Sequence, residues 1–130
     1  MNSTINNIWA YKIYDSRGRP TVEVELSTNF GKFRAAVPSG ASKGKYEALE
    51  LRDGSGSDFK SLGVDKAISN VNNIIKPALL NEDIKIDDQE KIDSFLINLD
   101  STHNKSKLGA NAILPVSLVI SKAASALQVI

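Results

Sequence analysis

The stretch Asp15-Ser16-Arg17-Gly18-Arg19-Pro20-Thr21-Val22-Glu23-Val24-Glu25-Leu26 decides how this chain begins to fold. Asp15-Ser16-Arg17-Gly18 is turn chemistry: an Asx side chain able to bond its own backbone, then a permissive glycine. Pro20 pushes Arg19 into an extended conformation and sits where a strand can start. Val22, Val24 and Leu26 then alternate with Thr21, Glu23 and Glu25, a period of two with one apolar and one wet face. Upstream, Ile8 to Tyr14 is β-branched and aromatic and reads as a strand. Downstream, Asn29-Phe30-Gly31-Lys32 turns the chain, and Phe33, Ala35 and Val37 alternate with Lys32, Arg34 and Ala36. Connections this short exclude parallel crossovers, so the three strands form an antiparallel meander.

The second half reads as helices. Val64, Ala67, Ile68, Val71, Ile74 and Ile75 make one apolar stripe, ended by Pro77. Asp87 with Glu90 resembles a capping box ahead of the stripe Ile92, Phe95, Leu96, Leu99. A last helix, about Asn111 to Leu127, is apolar on most sides and is expected to be the most buried. Pro115 lies within it, so either the helix proper starts near Leu114, with the proline in a favourable first position, or the helix is kinked. Strands followed by helices give an α+β fold, a three-stranded antiparallel meander with helices packed on one face. No repeat, linker or low-complexity tract divides it, and residues 1–130 read as a single domain.

Composition narrows the function classes. At 130 residues, 42% hydrophobic and 24% charged, the chain suits one core without crosslinks. The 16 Lys and Arg against 15 Asp and Glu leave a net charge of +1, no electrostatic case for nucleic acid or a membrane surface. Absence of cysteine excludes disulfides, thiolate metal sites and thiol nucleophiles. The N-terminus has no basic region followed by an apolar run, no window is read as a membrane span, and the expected location is cytoplasmic.

Chemistry concentrates between the meander and the helices, in Val37-Pro38-Ser39-Gly40-Ala41-Ser42-Lys43-Gly44-Lys45-Tyr46-Glu47-Ala48-Leu49-Glu50-Leu51-Arg52-Asp53-Gly54. Small residues leave backbone and hydroxyl groups bare, which suits a loop folding over an ionic ligand and equally suits a plain connector. Gly40 to Lys45 is one residue short of a phosphate-binding GxxxxGK, and Tyr46 stands where Ser or Thr would hold magnesium, so that reading is rejected. His103, the only histidine, cannot build a metal site alone and reads as a surface-loop residue. Glu47/Glu50 and Asp87/Asp88 read as strand-face and helix-cap charges rather than acid–base dyads. Lys105 and Lys107 are too small a patch for nucleic acid.

Three blocks taken together are more specific than any of these. The loop, with Asp15-Ser16-Arg17-Gly18-x-Pro20-Thr21-Val22-Glu23-Val24-Glu25 before it and Asn104-Lys105-Ser106-Lys107-Leu108-Gly109-Ala110-Asn111-Ala112-Ile113-Leu114 after it, closely resembles enolase in order and spacing. The resemblance runs from about Ile8 to Leu127 and covers the amino-terminal third of an enolase, whose catalytic barrel would begin after Ile130. It implies a lyase of glycolysis that reversibly dehydrates 2-phosphoglycerate to phosphoenolpyruvate, with magnesium as cofactor. It further implies that Ser42 gives the second magnesium its hydroxyl and carbonyl oxygens, and that Gly40 and Ala41 form the mobile tip that covers the substrate. The base, the acid and the carboxylate ligands belong to the barrel, so this chain supplies no catalytic residue. Arg17 matches an interface arginine of a homodimer. Arg19, Lys43, Tyr11 and Pro115 depart from the family pattern, Tyr11 standing where an arginine pairs across that interface. The alternative reading is a stand-alone, non-catalytic interaction module with the same fold.

Overall fold

The computed structural model describes residues 5–36, 52, 63–82, 84–102 and 107–129. Its elements run β1 (Ile5–Tyr14), β2 (Pro20–Thr28), β3 (Gly31–Ala36), α1 (Asp65–Asn70), a π-helical turn (Val71–Ile75), α2 (Lys76–Asn81), α3 (Gln89–Asp100) and α4 (Ala110–Val129). The strands form one antiparallel sheet in the order β1-β2-β3. The meander followed by helices is the expected α+β architecture.

Local chemistry explains each turn. Asp15 Oδ1 accepts from the backbone N–H groups of Arg17 and Arg19, both at 2.9 Å. Gly18 takes the positive φ of +77° that closes the turn. Strand β1 starts at Ile5, three residues before the expected Ile8, with an irregularity in pairing between Ile5 and Asn7. At the second turn Thr28 Oγ1 accepts from Phe30 N at 3.2 Å and donates to the Gly31 carbonyl at 2.9 Å.

Register puts Ile8, Ala10, Val22, Val24, Leu26 and Ala35 on one face, and all six are buried. Helix α4 lies across β2 and β3 with Ala112, Ile113, Val116, Val119, Ile120 and Ala123 buried. The α1–π–α2 run lies along β1, and α3 packs on α4. By length and composition α4 could cross a membrane, contrary to the expectation that no window would. Here one side of it is buried against the sheet, while Leu114 and Leu118 remain exposed.

The buried residues Ala67, Val71, Ile75 and Leu79 recur every four positions. An α-helix has 3.6 residues per turn, so a four-residue spacing drifts by ~40° at each step. The wider π turn at Val71–Ile75 rotates the stripe back toward β1. It also explains why Pro77 does not end the helical run, which continues to Asn81. The ring would meet the carbonyl four residues back, at Asn73, and the turn is widened there.

Two further expectations shift. The cap of α3 is Asp88, not Asp87: its carboxylate accepts from Lys91 N at 3.3 Å. The helix therefore starts one residue later than the Asp87–Glu90 spacing suggested. Helix α4 begins at Ala110, so Pro115 sits inside it and not at a first position near Leu114. Without a proline N–H, the Asn111 carbonyl has no i+4 backbone donor. Half-buried polar side chains join α3 to α4: Ser117 Oγ donates to Asp93 Oδ1 at 2.6 Å, and Gln89 Nε2 donates to both, each at 2.9 Å.

Candidate functional site

One end of the sheet gathers the features that the sequence singled out. There β1 ends at Tyr14, β2 begins at Pro20 opposite it, and β3 ends at Ala36 opposite Glu23. The segment that carries Gly40, Ala41 and Ser42 therefore starts from this end. Those three residues lie outside the described residues, as do Lys43, Glu47, Glu50, His103 and Lys105. Arg17 is exposed on the β1–β2 turn, and its backbone N–H is fixed by Asp15. Those backbone donors, first Arg19 and then Arg17, hold the Asp15 carboxyl below the ordinary carboxylate range, aided by the two guanidinium charges.

Arg52 joins this end from far along the chain. Its Nη1 donates to the Pro20 carbonyl at 2.6 Å. In the sequence Arg52 falls within the informative stretch Val37 to Gly54 but takes no role of its own, because an arginine in Leu51-Arg52-Asp53-Gly54 carries no periodic or spacing signal. Its meaning depends on a contact 32 positions away.

The outer face of the sheet was expected to be wet, and it is so at Lys32 and Arg34 of β3 but not at two positions of β2. Glu25 is only 5% exposed, as is Thr21. In register Glu25 lies between Trp9 of β1 and Arg34 of β3, and Arg34 Nε donates to it at 2.8 Å while remaining largely exposed itself. Arg34 therefore lies over the carboxylate as a cover. Beside it Tyr11 donates its hydroxyl to Glu23 Oε2 at 2.5 Å. Desolvation, then that hydrogen bond and the Glu23 charge, push the Tyr11 hydroxyl up to about 12. Tyr11 is thus engaged within its own chain.

Among the described residues no group of three or more His, Cys, Asp or Glu comes together to hold a metal ion. Several of their carboxylates serve as turn and helix caps, in Asp15 and Asp88, or in cross-strand pairs, in Glu23 and Glu25, while Asp93 accepts from Gln89 and Ser117 and the fully buried Asp100 accepts from Leu108 N at 2.6 Å. The described residues thus do not fit a magnesium centre. A groove of about 540 Å³ along α3, lined by Ile84, Asp88, Glu90, Lys91, Ser94, Phe95 and Asn98, is similarly unspecialised: Asp88 is its helix cap and pairs with Lys91 at 3.8 Å. A family model described as the enolase N-terminal domain matches residues 5–130.

Proposed function

From the premise that the chain belongs to the enolase amino-terminal domain family, we propose that it is the part of an enolase that closes over substrate while a barrel domain performs the chemistry. The reaction is the reversible dehydration of 2-phosphoglycerate to phosphoenolpyruvate, a lyase step of glycolysis. The single observation that carries this reading is a family match spanning nearly the whole chain, on a meander-and-helix fold. Magnesium supplies the enolate stabilisation in this enzyme class. Among the described residues no ligand set for it comes together; it is the resemblance to the family that assigns the base, the acid and the carboxylate ligands to the barrel. What this chain contributes is Ser42 as an oxygen donor, with Gly40 and Ala41 covering the substrate and keeping water out. The protein is further read as a cytoplasmic homodimer with Arg17 at its interface.

The test is complementation. The 130-residue chain alone should give no phosphoenolpyruvate above blank in a coupled assay. Supplied with an enolase barrel it should support turnover, and Ser42→Ala should then lower turnover far more than stability, since a surface substitution shifts stability by about 0.5 kcal/mol or less. Turnover by the pure chain alone would refute this division of labour. A folded chain that supports no turnover with any enolase barrel would instead favour the non-catalytic interaction module.

A further inference from the structure

We propose that the outer edge of β3 is a docking edge for an extended acidic segment of a partner protein, which adds to the sheet as a strand with carboxylates at two alternate positions. Strand β3 pairs with β2 on one side, and no described strand lies on its other side. Lys122 Nζ reaches that outer side and donates to the Arg34 carbonyl at 2.8 Å. The backbone groups of Arg34, and by alternation those of Lys32, therefore point away from β2. Both side chains are exposed. The two edges of the sheet are closed unequally. At β1 the Asn72 amide meets both the N–H and the carbonyl of Ala10. At β3 a lysine can only donate, so the Arg34 carbonyl is met while its N–H has no partner among the described residues. Lys122 is exposed and is the only charged residue of α4. Its flexible stem lets the ammonium move from the carbonyl to a carboxylate when the N–H of an incoming strand takes its place.

Charge decides what this edge accepts. Lys32, Arg34 and Lys122 set cations along it, and the Glu25 carboxylate takes only Nε of Arg34. The remaining guanidinium nitrogens can hold a second carboxylate. A second copy of this chain is refused. Any two-fold antiparallel pairing over most of β3 sets Lys32 opposite Arg34, or Arg34 opposite its own copy, and like charges directly opposed destabilise a sheet. An acidic strand reverses that sign at both positions. Main-chain bonds along the edge would give it affinity, and its alternate side chains specificity. Opposite Lys32 and Arg34 it carries carboxylates. The residue between them faces Phe33, which is half-buried against the core, and is apolar.

The probe is a capped peptide alternating glutamate and valine, Glu-Val-Glu-Val-Glu, titrated into the 130-residue chain up to millimolar concentration. Binding should slow amide exchange at Arg34, whose N–H points outward, more than at Phe33, which is already bonded to β2. Lys32→Glu should raise the dissociation constant about tenfold, since one attractive cross-strand pair becomes repulsive. Added salt should weaken binding to the unsubstituted chain. N-methylation at the glutamates, whose N–H groups face β3 in this pairing, should abolish binding with the charges intact, whereas N-methylation at the valines should be tolerated. A peptide with lysine in place of glutamate should not bind. Equal affinity for the peptide N-methylated at glutamate would show charge attraction without strand addition and overturn the proposal. So would equal affinity for the lysine peptide, protection that omits Arg34, or no binding of the glutamate peptide at all.

Discussion

The two faces of the sheet are built from the same three strands and bury their residues by different means. On the inner face Ile8, Val24 and Leu26 are fully buried by helices, and the stabilisation is the removal of apolar surface from water. On the outer face Glu25 is almost as buried, but what shields it is its neighbours in the sheet, Trp9 on one side and an exposed Arg34 on the other. The inner face depends on shape and the outer face on paired charge, and the two should answer differently to truncation, pH and salt.

The largest effect should come from the inner face. Leu26→Ala removes a fully buried side chain beneath α4 and should cost ~2–5 kcal/mol by urea denaturation, with no dependence on salt. A cost below ~1 kcal/mol would mean that the sheet and α4 are loosely packed. The next effect is alkaline. The Tyr11 hydroxyl is raised to about 12 in the folded chain, against an ordinary value of 10.0. A raised value means that the stabilisation is complete below pH ~10 and is lost as pH climbs from there through about 12. Absorbance titration should find one tyrosine ionising late, and Tyr11→Phe should remove that late step. A titration curve that Tyr11→Phe leaves unchanged at its alkaline end would break the outer-face account.

The smallest effect is assigned to Arg34→Ala. Loss of the guanidinium uncovers Glu25 to water instead of stranding it in a dry interior, so the urea midpoint should fall only slightly. Raising salt should shrink even that difference, because an exposed cation is screened within about 10 Å at 0.1 M. A large, salt-independent loss would show that Glu25 is sealed by something other than Arg34.

Alternation in Val22 to Leu26 was sufficient to tell which side of β2 faces the helices, and Asp15 and Gly18 announced their turn in their own chemistry. What alternation could not reveal is whether the opposite side meets water, because that depends on Arg34 and Trp9 arriving from other strands. Helix boundaries failed for a related reason. Pro77 and the Asp87–Glu90 spacing were read by rules for regular α-helix, and the π turn and a one-residue shift of the cap lie outside those rules. Pro115 marked a real irregularity whose placement required knowing that α4 starts at Ala110. For the site, the motif around Ser42 was legible as wording. The Arg52–Pro20 contact was not, since it joins residues that have no pattern in common.

Asn72 projects from the π turn onto the side of β1 away from β2, which no described strand pairs, and its amide meets the backbone of Ala10 there: Oδ1 accepts from Ala10 N at 2.8 Å and Nδ2 donates to Ala10 O at 3.1 Å. A carboxamide carries the same donor and acceptor as a peptide group. At Ala10, then, the sheet is bonded as though a fourth strand lay beside it, and that strand is one side chain long. A foreign strand approaching β1 would find the vacancy at Ala10 already taken, so growth of the sheet on this side is blocked by imitation and not by charge.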